Sequence, residues 1–206
     1  MKNIKYILIC LFVVSIAHAQ INKPLSSYET DTQNRFPTSN IPFSQRVYYE
    51  DVNNYFISFV GSWKHIEGNK TFIVTLYKQA MRPADFNDFT TYYMDEIFGY
   101  YKLVENYGLP SETIIYNSQD FIGDRPFEIF SYAPSTTATN LECTIYDVVD
   151  SNFPDKYLDG DLKFTINYGT SPLTAQWIVT PIIDKWYVEG QRTSFVIPTN
   201  ITLTKM

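Results

Sequence analysis

Residues 161–180 read DLKFTINYGTSPLTAQWIVT, and this stretch decides the fold class. Leu162, Phe164, Ile166 and Tyr168 fall at every second position. Gly169-Thr170-Ser171-Pro172 breaks the run, and Leu173, Ala175, Trp177 and Val179 resume it. A period of two marks a strand with one buried face, and a short Gly/Ser/Pro break between two such runs marks a hairpin. A slip of one residue would turn every apolar side chain outward, so the register of the two arms is well specified.

The same pattern extends upstream. Trp63-Lys64-His65-Ile66 leads through Glu67-Gly68-Asn69-Lys70 into residues 71–78, where Phe72, Val74 and Leu76 share a face: a second hairpin, turning at Gly-Asn. Residues 79–91, with Pro83, Asp85 and Asp88, interrupt the alternation. Strand-like runs follow at 96–105, 112–117, 126–132 and 141–149. At the end of the chain Phe195, Ile197, Ile201 and Leu203 keep one parity across Pro198, which suits an edge or a bulge. Before the first hairpin, Asp51 reads as the N-cap of a short helix to Phe59, with Val52, Phe56 and Phe59 at helical spacing. Many short strands and almost no helix leave a sandwich or a closed antiparallel barrel. The expectation is all-β: a single antiparallel up-and-down barrel of about 8–10 strands over residues 46–206, with a short N-terminal helix.

The first 19 residues follow a different logic. Lys2 and Lys5 precede an apolar run from Tyr6 to Ala17, and Ala17-His18-Ala19 stands before Gln20. Basic start, apolar middle and an A-x-A site together read as a cleavable signal peptide. The run is short of the roughly 20 residues that a membrane span requires, so an integral membrane protein is not expected. Cys10 follows Ile9 inside the apolar run, a poor match for a lipid-modified cysteine. Residues 20–45 are rich in Ser, Thr, Asn and Pro without a period, and read as an extended leader.

Export sets the remaining bounds. Two of the 16 basic residues and none of the 22 acids precede Gln20, so the mature chain is more acidic than the formal −6 of the full sequence. Acidic balance without a basic run argues against nucleic acid and anionic membrane as partners. Of the two cysteines only Cys143 remains after cleavage, so no internal disulfide can form. Stability must come from the core, for which 17 Tyr, 15 Phe and 3 Trp supply large, stiff side chains.

Candidates for chemistry are few. His65 is the single histidine after Gln20, and no G-x-S-x-G elbow accompanies it. One His and one Cys make a zinc site a poor fit, so no metal and no cofactor are expected. Asp155, Asp159 and Asp161 around Gly160 lack the spacing of a calcium loop and read as a polar turn. Asp95 and Glu96 are strand neighbours, so they point to opposite faces and cannot share a substrate. Cys143 shares parity with Leu141 and Ile145 and reads as a buried small hydrophobe. Asn69-Lys70-Thr71 and Asn200-Ile201-Thr202 match the glycosylation sequon. No catalytic residue is assigned.

Phe59-Val60-Gly61-Ser62-Trp63-Lys64 resembles the G-x-W signature that opens lipocalin and fatty-acid-binding-protein barrels. That resemblance implies that Trp63 plugs one end beneath a basic side chain of the last strand, here Lys205, with Arg192 as a substitute. Gly61, Trp63 and Lys205 are the structural site residues it implies. A wider set is similar to a family of secreted, lipocalin-like domains of unknown function from Bacteroidota-type bacteria. It comprises 54–56, 61–63, 71–78, 95–101, 175–177 and 197–205. The chain lacks the two helices that fatty-acid-binding proteins place after their first strand, and lacks their C-terminal Arg-x-Tyr clamp. The resemblance therefore carries a barrel and export, with no ligand and no catalytic residue.

The first functional reading is an exported, non-enzymatic barrel that binds a small hydrophobic or aromatic ligand at residues the sequence does not identify. The second is a secreted interaction or structural domain with a packed interior. A hydrolase ranks third, because the bases and metal ligands it would use are mostly absent. Oligomeric state is open at this level.

Overall fold

A computed structural model of the chain describes residues 21–28, 47–86, 90–120, 129–131, 137–147, 158–182 and 193–206. The signal-peptide reading of residues 1–19 and most of the leader, along with Arg192 and Asp155, lies outside them.

The structure is all-β. Eight strands run up and down and close into an antiparallel barrel: β3 (Gly61–Glu67), β4 (Lys70–Phe86), β5 (Thr90–Glu105), β7 (Ile129–Ser131), β8 (Asn140–Tyr146), β9 (Asp159–Asn167), β10 (Thr174–Pro181) and β11 (Asn200–Lys205). Closure comes from β5 pairing β7 at one seam and β11 pairing β3 at the other. Both hairpins appear in their expected register. Glu67 faces Lys70 across Gly68-Asn69, and Thr174 faces Asn167. Inward positions alternate along every arm, so Trp63, Phe72, Val74, Tyr101, Leu141, Phe164, Trp177 and Leu203 are all buried.

Strand β5 organises the rest. One edge pairs with β4 along most of its length. The other edge takes β2 (Val47–Glu50) in parallel at Tyr93 and Met94, then β7 at Phe98 and Gly99, then β6 (Thr113–Asn117) at residues 102–105. Gly99 sits where this edge changes partner and the barrel is tight. A Cβ there would lie 2.6 Å from Leu76 Cδ2 and 2.8 Å from the Thr75 carbonyl oxygen. Outside β2 lies a parallel strand, β1 (Ile21–Pro24), from the stretch read as leader. Leu25, which follows it, is buried, and Tyr28 packs edge-on against Tyr49 with ring centroids 5.3 Å apart.

Three expectations are corrected. Residues 79–86 and 90–91 stay in the sheet: β4 continues to Phe86 and β5 starts at Thr90. A bulge between Gln79 and Arg82, with Met81 at φ 54°, shifts the register and hides the alternation. The helix expected from Asp51 to Phe59 is not what those residues form. Tyr55–Ser58 is a single 3-10 turn, and Val52 is 52% exposed. The last strand begins only at Asn200, so Ile197 and Pro198 belong to the loop before it.

Candidate functional site

Strands β3 and β11 meet with Trp63 opposite Lys205, which brings the G-x-W residues and the terminal lysine together. The 3-10 turn Tyr55–Ser58 folds over this end, with Phe56 and Phe59 fully buried. Its backbone is held from below. The Trp63 indole N–H donates to the Phe59 carbonyl at 2.8 Å, and Lys205 Nζ donates to the Ser58 carbonyl at 3.0 Å. Lys205 Nζ also lies 5.2 Å from the Trp63 ring centroid, a cation–π contact. Burial lowers the pKa of this lysine. Gly61 has φ 117°, a conformation that a side chain resists, and its missing Cβ would stand 3.6 Å from Lys205 Cε. The N-terminal side of the turn is held by the buried carboxylate of Asp51, which accepts from the N–H groups of Tyr55 (2.9 Å) and Phe56 (3.0 Å).

The opposite end repeats the device with other residues. The buried carboxylate of Asp147, just past β8, accepts from the N–H groups of Val196 (2.8 Å) and Ile197 (3.1 Å). The Trp177 indole N–H donates to the Pro198 carbonyl at 2.8 Å. Here the loop before β11 is held.

Between the ends the interior is occupied. Phe164 contacts Trp63 (centroids 5.0 Å apart) and Trp177 (6.4 Å). Trp177 contacts Phe72 at 5.6 Å, Phe72 contacts Tyr101 at 5.9 Å, and Tyr101 contacts Tyr116 of β6 at 6.1 Å. Most of these pairs are edge-to-face, the arrangement that the aromatic quadrupole favours. An eight-stranded barrel either fills its interior with side chains or keeps room for one ligand. This aromatic series runs from one closing segment towards the other.

A charged cluster lies beside the Tyr55–Ser58 turn. Asp95 accepts from the Tyr48 hydroxyl (2.5 Å) and the Met81 N–H (3.3 Å) on Oδ1, and from the Asp51 N–H (3.0 Å) on Oδ2. Lys78 Nζ stands 2.7 Å from Asp95 Oδ2 and 3.8 Å from Asp51 Oδ2. Burial pushes the Asp95 carboxyl up. Hydrogen bonds from Lys78, Tyr48 and the Asp51 N–H outweigh that and hold it below the usual range. Burial and the Asp95 carboxylate raise the Tyr48 hydroxyl well above its ordinary value. On the other face of β5, Glu96 pairs with Arg82 at 2.6 Å, and burial raises its pKa against the opposing effect of that guanidinium. Asp95 and Glu96 thus engage separate partners, as strand alternation requires. With donors on both oxygens, Asp95 is placed to hold backbone segments.

Tyr48, Lys78 and Asp147 were not singled out from sequence. Asp147 nonetheless continues the inward parity of Leu141-Cys143-Ile145, and a buried charge demands a partner. The remaining candidates are dispersed. His65 Nδ1 is 3.0 Å from the Thr202 carbonyl, an acceptor, so this nitrogen carries the hydrogen. Cys143 is fully buried, and burial pushes its thiol far above the usual range. Asp159 and Asp161 lie on β9 opposite Tyr146 and Thr144. In the two sequons, Asn69 donates to Glu105 at 2.8 Å and Asn200 accepts from Gln176 at 2.7 Å. Among the described residues no three His, Cys, Asp or Glu side chains converge as metal ligands, and no helix is long and apolar enough to cross a membrane.

Residues 1–206 match the model of a family described as "Family of unknown function (DUF6705)". No curated protein and no solved structure matches the chain.

Proposed function

We propose, for a chain that belongs to this family of unknown function, an exported barrel domain that acts through its outer surface, with an interior that packs instead of receiving a ligand. The observation that carries this reading is the aromatic series Trp63–Phe164–Trp177–Phe72–Tyr101, every member of which is buried against the next. Rings in van der Waals contact along the axis leave an internal guest only by displacing them, and emptying a filled core is costly. Asp51, Asp95 and Asp147, the acids nearest the interior, are engaged by backbone N–H groups, which supports a structural role over turnover. Export rests on the basic start, apolar run and A-x-A site before Gln20.

Native mass spectrometry of protein recovered from its producer's periplasm and medium tests both parts. The expected species begins at Gln20, carries no adduct and takes up no environment-sensitive dye. A co-purifying apolar molecule displaced by lipids would restore the ligand-binding reading, and a full-length cytoplasmic species would remove export.

A further inference from the structure

The N-terminal segment is joined to the barrel by a short length of backbone, since β1 has four residues and pairs with β2 in parallel. Side chains add to this. Leu25 is buried, and Tyr28 stands between Tyr49 of β2 and Tyr92 of β5. The hydroxyl oxygens of Tyr28 and Tyr92 are 2.7 Å apart, one donating to the other. Their ring centroids are 5.4 Å apart, with the planes inclined at 52°. Two phenols meeting tip to tip would hold their centroids much farther apart, so these rings lie side by side. An ortho carbon beside each hydroxyl is therefore turned towards the other ring. Tyr49 is buried and packs edge-on against Tyr28 at 88° and against Tyr92 at 83°, which fixes the pair. Tyr101 and Tyr116, by contrast, meet edge-on at 82°. Tyr28 and Tyr92 are both half-buried, so solvent reaches them.

We propose that Tyr28 and Tyr92 form an oxidative cross-linking site, at which two equivalents of a one-electron oxidant join the two rings and fasten the N-terminal segment to β5. Each phenol gives one electron to the oxidant and its hydroxyl proton to solvent. The neutral phenoxyl radicals that remain share their unpaired spin with the ortho carbons, and one carbon–carbon bond forms between those carbons. The hydrogen on each bonded carbon then leaves as a proton while each oxygen takes one up, which restores both phenols. The net loss is two electrons and two protons. Coupling requires that two radicals meet, and groups held in contact meet at a high effective concentration. Burial and the hydrogen bond to Tyr28 raise the Tyr92 hydroxyl well above its ordinary value, so it reacts as the neutral phenol. A disulfide does not serve this end of the chain, because Cys143 is buried in β8. The new bond closes the chain between residues 28 and 92, and restricts the unfolded state as a disulfide does.

Brief illumination of the dilute chain with a ruthenium tris-bipyridine complex and persulfate supplies the oxidant, and free N-acetyltyrosine amide in a parallel tube shows that it is active. The expected product is a monomer lighter by two hydrogens, with dityrosine fluorescence. Its digest should contain a peptide pair joined through residues 28 and 92, in a yield that does not change on dilution. The joined chain should also unfold at a higher urea concentration than the unjoined one. Tyr28→Phe and Tyr92→Phe each keep a ring against Tyr49, and each is expected to lose the joined peptide while keeping the wild-type far-UV spectrum. In wild type oxidised in urea, the preference for this pair should vanish. An active oxidant that leaves residues 28 and 92 of the native chain unjoined overturns the proposal. So does joining them as readily in urea, or an undiminished yield of the two-hydrogen loss in Tyr28→Phe. None of these outcomes bears on whether the interior holds a ligand.

Discussion

Asp51 and Asp147 hold opposite ends of the barrel by the same means: each buried carboxylate accepts hydrogen bonds from two consecutive backbone N–H groups of the segment that closes its end. Each is matched by a tryptophan, Trp63 or Trp177, whose indole N–H takes a carbonyl of that same segment. The closing segments lack the ladder partners that the strands enjoy, so side chains supply what their backbones need.

Replacing Asp147 with alanine should leave the N–H groups of Val196 and Ile197 without this acceptor. A buried unsatisfied donor costs about 1–3 kcal/mol, so a total of about 2–4 kcal/mol is expected from the urea midpoint at constant slope. Asp147→Asn, which keeps one carbonyl oxygen, should lose less. Equal midpoints for wild type and Asp147→Ala would remove the clamp from the account.

How far these features were legible follows from the range over which they act. The hairpins 63–78 and 162–179 show in the sequence because their period of two and their turns are local. The outer part of β4 and β5 does not, since the bulge at Met81 reverses the apparent parity and Pro83 and Asp85 look like breakers. The spacing of Phe56 and Phe59 suggests a helix, yet a chain crossing a barrel mouth buries the same two residues with one turn. The Asp95 cluster was illegible because Tyr48 and Asp51 reach it from 47 and 44 residues away, and no local pattern reports such a contact.

Trp63 joins three functions: contact with Phe164, an indole hydrogen bond to Phe59 and a surface beneath Lys205. Trp63→Ala should destabilise by about 3–5 kcal/mol in chemical denaturation. Trp63→Phe should cost less, because it keeps an aromatic ring beside Phe164 while losing the N–H. A denaturation midpoint for Trp63→Ala close to that of wild type would contradict the end-plug role.

Cys143 is buried between strands whose inward residues are apolar, and its thiolate is strongly disfavoured by that burial. A thiol reagent such as a chromogenic disulfide should label the denatured chain quickly and the native chain only at the rate of opening. Rapid stoichiometric labelling of native protein at neutral pH would show that the site is open to solvent.

The pH dependence of stability should carry opposite signs at two neighbouring residues. Asp95 has a depressed folded pKa, so below its unfolded value of about 3.9 the unfolded chain binds more protons. Its stabilisation is therefore present above that value and is lost as pH falls towards the folded one. Glu96 has a raised folded pKa, so between its unfolded value of about 4.3 and the folded one the native chain binds more protons. Its contribution favours the fold at the acidic side of that window and fades as pH rises through it. Denaturant midpoints measured across the acidic range should fall more shallowly for Asp95→Asn than for wild type, from a lower starting stability. Glu96→Gln should flatten the opposing slope at slightly higher pH. Lys78→Met adds a check on the partner, because it leaves the buried Asp95 beside Asp51 without its cation; the Lys78 side chain is 31% exposed, so losing this charge-assisted hydrogen bond should cost about 1–3 kcal/mol. Combining Lys78→Met with Asp95→Asn should restore part of that loss, since neither charge then remains unpaired. A double variant whose loss equals the sum of the two single losses would show that the two residues are not energetically coupled.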